Sequence, residues 1–396
     1  MRIAVINSYF PPRAGGSAHL SEAIARHCVE AGHEVLVITS AFPDASQEEV
    51  IDGMRVVRLS SFAPQSRLAF NYDIPFAISR RNYRKMSALL SDFRPDVIHQ
   101  HGQFFDLTWM STFWARRHAT PVVLSVHTRL ISPSRMHGAI LALGDLTVVR
   151  AMTRRSNPVV VAVDGPVHTY VRKRYSIPEA RIVDIPVGIE PDRFHSDDGA
   201  AVRGRLGIGD RPMLLSLGHV IPLRDRLAII EAMPLMLAEF PDLVVVVVGN
   251  VYDDRFQTRA RELGVEHALV VTGGVPKDAV PGYAAAADVE AHDLQGIGFG
   301  TASLEMLAAG VPVVTNATVD NYPTARLIDG ESVIRPAGPR PEDVAEAFLR
   351  LLRDPNLREA VSRGGQALAR AEFSMDEVAK RHMELYEKVS GGSAAP

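Results

Sequence analysis

The sequence predicts an α/β chain folded as two doubly wound parallel-sheet domains, and three observations carry that expectation. At 396 residues the chain exceeds one ordinary core, since domains usually hold roughly 100 to 200 residues. Apolar strand patterns alternate with helical ones in two series, interrupted by proline and polar residues near 186–204, and such alternation marks parallel sheets. Glycines gather where strands end, at Gly15 and Gly16, at Gly218 and at Gly296, Gly298 and Gly300.

In chain order, residues 2–8 form a continuous apolar strand, a loop over 9–16 opens a helix at 17–31, and Gly32 turns into a strand at 34–39. That is a βαβ unit. Strands are next expected at 54–59, 96–100, 121–126, 159–163 and 181–185, with helices between most of them. The polar run 195–204 is expected to be an interdomain linker. The second series predicts strands at 213–217, 243–248 and 268–272, and helices near 227–239 and 256–263. Residues 292–315 then hold a short apolar run ending near Leu294, the glycine loop, a helix at 301–309 closed by Gly310, and a strand at 311–314. Helices at 341–353, 357–371 and 375–389 end the fold, and 391–396 is a frayed tail.

Composition narrows the class. With 46% hydrophobic and 22% charged residues the chain is of soluble globular type. No apolar run approaches a membrane span of roughly 20 residues, and the first residues read as a core strand, not a signal-peptide h-region. Cys28 is the only cysteine, so an intrachain disulfide is excluded and a reducing cytoplasm is the expected location. Within a helix pattern it is a buried structural thiol before it is a nucleophile. Residues 1–190 carry 22 Lys and Arg against 16 Asp and Glu, a net +6, whereas the remainder carries 21 against 30, a net −9. The first half therefore favours an anionic partner or surface. Nucleic acid is not expected, because the basic residues lack interleaved aromatics beyond Tyr83.

The glycine loop before residues 301–309 has a chemical consequence. Backbone N–H groups at a helix N-terminus, reached through glycines, suit a phosphate. Glu305 lies on the same helical face as Thr301, one turn in, where a carboxylate reaches a ribose hydroxyl.

Four pieces spread over nearly the whole chain carry a family resemblance: Tyr9, Phe10, Pro11, Pro12, Gly15 and Gly16; residues 186–194; Leu217 and Gly218 with Arg224 beyond; and Gly298, Phe299, Gly300, Leu304, Glu305, Ala308, Gly310 and Pro312. Together they resemble the retaining family 4 glycosyltransferases (group 1) of the GT-B fold. The resemblance implies two Rossmann-like domains facing across a cleft. Residues 1–190 would bind the acceptor, with a C-terminal helix at 375–390 crossing back, and 191–374 would bind a nucleoside-diphosphate sugar. It also implies no metal and no other cofactor. UDP and GDP remain open, since the expected base pocket around Gly274, Val275, Lys277 and Asp278 offers mainly backbone; an ordinary turn capped by Asp278 is equally consistent with these residues.

Two departures stand out. Where the family places an arginine after Gly218, this chain has His219, and where it has a lysine, Arg224, with Arg226 nearby. Cations are needed at the departing diphosphate. Arg224 can chelate phosphate oxygens bidentately, while His219 supplies charge only when protonated. The family also pairs two glutamates eight apart; here Glu305 is kept and Ile297 stands at the other position. An isoleucine leaves sugar hydroxyls unpaired, at ~1 to 3 kcal/mol each. This points to an unusual donor sugar or to compensation by Asp293 or Gln295.

On the acceptor side the resemblance puts His127 at the reaction centre, with His99, His101, His137 and Arg129 as further candidates. His99 and His101 are taken to alternate across a strand and so not to share a metal. Arg80, Arg81, Arg84 and Lys85 form a basic helical face beside Phe76, Ala77, Met86 and Leu89, which fits anionic lipid or a solvated surface. The expected function is retaining sugar transfer to a small-molecule acceptor, in the manner of natural-product biosynthesis with an unusual donor or a thiol acceptor. A membrane-surface transferase using an anionic lipid, and a nucleotide-sugar-binding protein without activity, are the alternatives. Oligomeric state is unspecified. Replacing Ile297 by Glu is expected to raise turnover with a common UDP- or GDP-hexose in a steady-state assay; unchanged turnover would mean that Ile297 does not face the sugar.

Overall fold

The computed structural model describes residues 1–13, 16–43, 45–62, 75–130, 135–222, 224–291, 294 and 298–391. Two compact units emerge, Met1–Gly188 together with the chain from Val378 onward, and Ile189–Glu377. No helix among the described residues is long and apolar enough to cross a membrane.

The first unit is an eight-stranded sheet of β1 (Arg2–Asn7), β2 (Glu34–Ser40), β3 (Glu48–Ile51), β4 (Met54–Leu59), β5 (Val97–His101), β6 (Val122–Val126), β7 (Val159–Ala162) and β8 (Ile182–Asp184). Their order is β3-β4-β2-β1-β5-β6-β7-β8. All neighbours are parallel except β3 with β4. Strand β5 is buried at every residue, as expected for a parallel strand covered on both faces. Connections turn opposite ways from β1, toward β2 and toward β5, so the loops after these two strands diverge. That is where doubly wound sheets open a crevice.

The second unit has β9 (Met213–Leu217), β10 (Val244–Val248), β11 (Leu269–Gly273) and β12 (Val289–Glu290) in the order β11-β10-β9-β12, all parallel. Single bridges from Glu290 to Val313 and from Val314 to Ile334 extend it. Its switch point lies between β9 and β12. Five consecutive valines make β10, every one buried; β-branched side chains fill both faces of the pleat.

Most expected strands stand within a residue or two of their predicted bounds, and three segments differ. The hairpin of β3 and β4 was not expected, yet Asp52 and Gly53 both have positive φ (46° and 79°) at its turn, the conformation that an Asp-Gly pair favours. The expected linker at 195–204 is partly the helix Gly199–Leu206. Its Val202 is buried, and a side chain on Gly199 would overlap the Ala285 carbonyl, so a polar-looking segment is packed against Val280–Ala286. Residues 311–314 make bridges, not a ladder, because β12 is two residues long.

Close packing of the helix Pro355–Glu372 yields a stability prediction. A Cβ on Gly364 would overlap the carbonyl oxygen of Glu331, whereas one on Gly204, within Gly199–Leu206, meets nothing within 4 Å. Gly364→Ala is expected to destabilise the second unit by about 1–3 kcal/mol. Gly204→Ala should gain about 0.5–1 kcal/mol. Urea denaturation of both variants checks the contrast.

Candidate active site

In the second unit the site is built on strand ends. Gly218, Gly249 and Gly273 follow or end β9, β10 and β11 with φ of 123°, 146° and 73°, values that favour glycine. Gly218 N–H donates to Val248 O at 2.8 Å and Gly249 N–H to Gly273 O at 2.8 Å. A side chain on Gly249 would overlap the Gly218 carbonyl. The three strand ends therefore close together and raise the following residues toward solvent.

His219 is exposed there, and its Nδ1 accepts the Asn250 backbone N–H at 3.2 Å. With Nδ1 accepting in this bond, the Nε2 edge of the ring is the one left to face a ligand. Tyr252, 68% exposed, meets the His219 ring edge to face with centroids 5.9 Å apart. Arg224 is exposed on the turn where its N–H bonds to Ile221 O at 2.7 Å. Arg226 differs from its expected role. It is 3% exposed, and its guanidinium donates to Arg224 O (2.9 Å) and Gly218 O (2.8 Å). It therefore braces the loop that displays Arg224.

The glycine loop closes the other side of the switch point. Gly298 has φ of 111°, and Phe299 N–H donates to the Tyr322 hydroxyl at 3.0 Å while their rings stack at 5.5 Å. Gly300 is the N-cap of the helix Thr301–Ala309 and has no side chain to cover its first turn, an arrangement in which a helix N-terminus suits an anion. Thr301 is exposed. Ser303 Oγ donates to the fully buried Glu290 at 2.9 Å, fixing the helix to β12. Glu305 is half-buried, and burial pushes its carboxyl up to about 7, against the opposing pull of Lys277. Gly274, Val275, Lys277 and Asp278 lie on the turn after β11, with Gly274 against the Asn250 side chain. Asp278 does not cap that turn, since Pro276 stands at the cap position and no side chain bonds there. Gly15, Asp293, Gln295, Gly296 and Ile297 lie outside the described residues.

In the first unit Gly16, exposed, opens the helix Gly16–Glu30 after β1, and Arg13 lies over the Tyr9 ring at 4.7 Å. His127, half-buried, follows β6. Its Nε2 is 3.1 Å from His101 Nδ1. His99 and His101 are both fully buried, so neither lines an open surface as an acceptor contact. Residues two apart in a strand share a face, which corrects the expectation that these two alternate: their rings lie 4.0 Å apart. Tyr386 and His382 from the helix Met375–Gly391 cover them, with the Tyr386 hydroxyl 2.6 Å from His99 Nδ1. The side chain of His137 is outside the described residues. Arg129 lines a separate cavity of about 590 Å³ with Leu130, Leu146, Tyr170, Lys173 and Arg174. Among the described residues no group of three or more His, Cys, Asp or Glu is placed to hold a metal.

Two parallel-sheet units, one ending in a glycine-capped helix N-terminus with a carboxylate one turn behind, define a GT-B glycosyltransferase. The chain belongs to group 1 of these enzymes. The model of Glycosyltransferase Family 4 matches residues 14–193, and that of Glycosyl transferases group 1 matches residues 200–367. The chain is 27% identical over 426 residues to a GDP-mannose-dependent alpha-(1-6)-phosphatidylinositol monomannoside mannosyltransferase of Mycobacterium tuberculosis, covering 100% of this chain and 99% of that one. A D-inositol 3-phosphate glycosyltransferase of Kineococcus radiotolerans is 28% identical over 435 residues, covering 100% and 97%. Among solved structures, Anabaena Alr3699/HepE in complex with UDP superposes with a TM-score of 0.74 at 17% identity, covering 98% and 100%.

The raised Glu305 carboxyl makes a pH prediction. A ribose hydroxyl donates best to the ionised carboxylate, so binding releases a proton below about pH 7. The dissociation constant for a nucleotide sugar, whose own diphosphate does not titrate there, should therefore rise by up to about tenfold per pH unit below that value. Calorimetry from pH 5 to 8 reads this slope, and Glu305→Gln should flatten it.

Proposed function

We propose that this glycosyltransferase moves a hexose, with retention of configuration, from a UDP- or GDP-linked sugar to a phosphate-bearing small-molecule acceptor. The observation that carries the donor half is the glycine-capped N-terminus of Thr301–Ala309 with Glu305 one turn behind it. The helix dipole and first-turn N–H groups take the diphosphate, Arg224 adds a full charge, and His219 presents its Nε2 edge. Glu305 takes the ribose. A UDP-bound structural neighbour and a GDP-mannose-dependent relative support both nucleotides. His219 in place of an arginine, with Ile297 in place of a carboxylate, keeps an unusual donor sugar within the proposal. A thiol acceptor and a place in natural-product biosynthesis belong to that same branch.

The acceptor half rests on charge in the first unit. Arg129 and Lys173 share one cavity with Leu130, Leu146 and Tyr170, while Arg174 in the same wall is paired with buried Asp145 at 2.8 Å; two cations beside apolar side chains suit an anion attached to less polar matter. Both relatives act, by name, on inositol-phosphate compounds. As the sugar–phosphate bond lengthens, the acceptor oxygen attacks the face that the diphosphate leaves, and a departing phosphate oxygen takes its proton. His127 is assigned to this centre, and no metal is required.

A second reading, with a lipid carrying the acceptor phosphate, has its own observation. Arg80, Arg81, Arg84 and Lys85 are all exposed on the helix Arg80–Phe93. A groove of about 530 Å³ beside them combines Arg80, Arg84 and Arg117 with Ile78 and Phe113, which are 56% and 46% exposed. Cations flanking exposed apolar side chains suit an anionic bilayer surface.

Incubation with UDP-, GDP- and dTDP-sugars tests the donor half. Nucleotide release from a UDP- or GDP-sugar, accelerated by an inositol phosphate, is expected, and Arg224→Ala should lower kcat by about 10²–10³-fold. Nucleotide binding with no release from any donor would overturn the proposal. Liposome flotation that depends on anionic lipid and on Arg80, Arg81, Arg84 and Lys85 would select the lipid acceptor.

A further inference from the structure

Buried His99 and His101 and half-buried His127 lie side by side in the first unit, and their surroundings determine where their protons sit. His127 Nε2 and His101 Nδ1 are 3.1 Å apart. Their ring planes differ by 9°, with centroids at 5.3 Å, so the two nitrogens lie between the rings and an N–H on one aims at the lone pair of the other. Burial, with the neighbouring histidines, holds His101 well below its ordinary range and lowers His127 to about 4. Each ring is therefore neutral and carries a single N–H.

Which nitrogen of His101 carries it follows from its other side. His101 Nε2 is buried and has no hydrogen-bond partner among the described residues. A proton there would leave an orphaned buried N–H, which folded proteins avoid more strictly than an unpaired acceptor. On Nδ1, the same proton makes the bond to His127. His127 then accepts at Nε2 and must carry its own proton on Nδ1, an atom with no partner among the described residues.

The layer beneath is held just as firmly. Burial pushes the Tyr386 phenol well above its ordinary range, so it remains an O–H and donates to His99 Nδ1 at 2.6 Å. His99 Nε2–H in turn donates to Ser125 Oγ at 2.7 Å. His99 thus forms a fixed platform 4.0 Å from the His101 ring. Gln103 Nε2 donates to Thr128 O at 3.0 Å, pinning the backbone beside His127.

We propose that His101 is a positioning residue that holds His127 in the Nδ1–H tautomer, so that His127 offers the substrate a hydrogen-bond donor and not a base. The inference rests on the reading that His127 touches substrate, and it deepens that reading by excluding His127 as the acceptor of the nucleophile's proton. That proton goes to the departing phosphate oxygen instead.

Long-range ¹H–¹⁵N correlation on histidine-labelled protein reads the tautomer directly, with His127→Gln assigning the signals. The Nδ1–H form is expected in the wild type without substrate. His101→Phe keeps an aromatic ring over His99 and removes the donor. It should release His127 to the Nε2–H form and lower kcat by about 10- to 100-fold, the kinetic equivalent of one lost transition-state hydrogen bond, with the donor KM within about twofold. His101→Asn, whose amide N–H falls near the Nδ1 position, should recover most of that loss. An Nε2–H tautomer at His127 in the wild type would overturn the proposal whatever the variants do, as would unchanged kcat in a folded His101→Phe. Full turnover by His127→Gln would instead remove the reading on which it rests and leave the tautomer measurement standing.

Discussion

Hydrogen bonding between parallel strands obliges every connection to cross over and re-enter from the same edge, so all the strands of such a sheet end on one side. In each unit this constraint gathers the chemistry. His101 ends β5, and His127 and the loop from Tyr9 follow β6 and β1; Gly273 ends β11, and Gly218, Gly249 and the glycine loop follow β9, β10 and β12. None of these groups is near the others in sequence. His99 and Tyr386, 287 positions apart in sequence, are brought to a single hydrogen bond because the last helix packs over the strand that carries the histidines.

Within the second unit the contest is between placing charge near a phosphate and keeping the loop that places it rigid. Arg226 is committed to the second task. Two guanidinium bonds to backbone carbonyls, with a positive φ of 67°, spend its donors on the loop, and hydrogen bonds to a charged group contribute about 1.5–3 kcal/mol each. Arg224 is left as the displayed cation. At Glu305 a similar contest is resolved by burial: Lys277 draws the carboxyl down, desolvation draws it up, and the balance near 7 shows that desolvation prevails.

How much of this the sequence discloses depends on the range of the interaction. Strands β1, β4, β9 and β10 follow from local apolar runs, and the glycine loop and Glu305 follow from spacing. Asp52 and Gly53 mark the turn of the β3–β4 hairpin, but Glu48 and Glu49 hide the alternation of its first strand. The helix Gly199–Leu206 reads as linker because only Val202 and Gly199 face inward, and it takes the neighbouring Val280–Ala286 helix to reveal them. Arg226 and Arg224 are indistinguishable in one dimension. The roles of Tyr386, His382 and Gln103 carry no local signal, since each acts through a contact that only the folded chain supplies.

Four histidines packed together cannot behave as four independent bases. Each is desolvated, and a proton on any one of them raises the cost of a proton on the next. Their value to the fold therefore lies in neutral, directional hydrogen bonds. A neutral imidazole donates with one nitrogen and accepts with the other, so fixing the proton of one ring fixes that of a ring it bonds to. Tyr386 sets His99, His99 meets His101 through ring contact alone, and His101 sets His127. A reaction centre supplied in this way offers oriented dipoles in place of mobile charge, which is effective where charge develops on a departing diphosphate and the active-site groups need not reorganise to meet it.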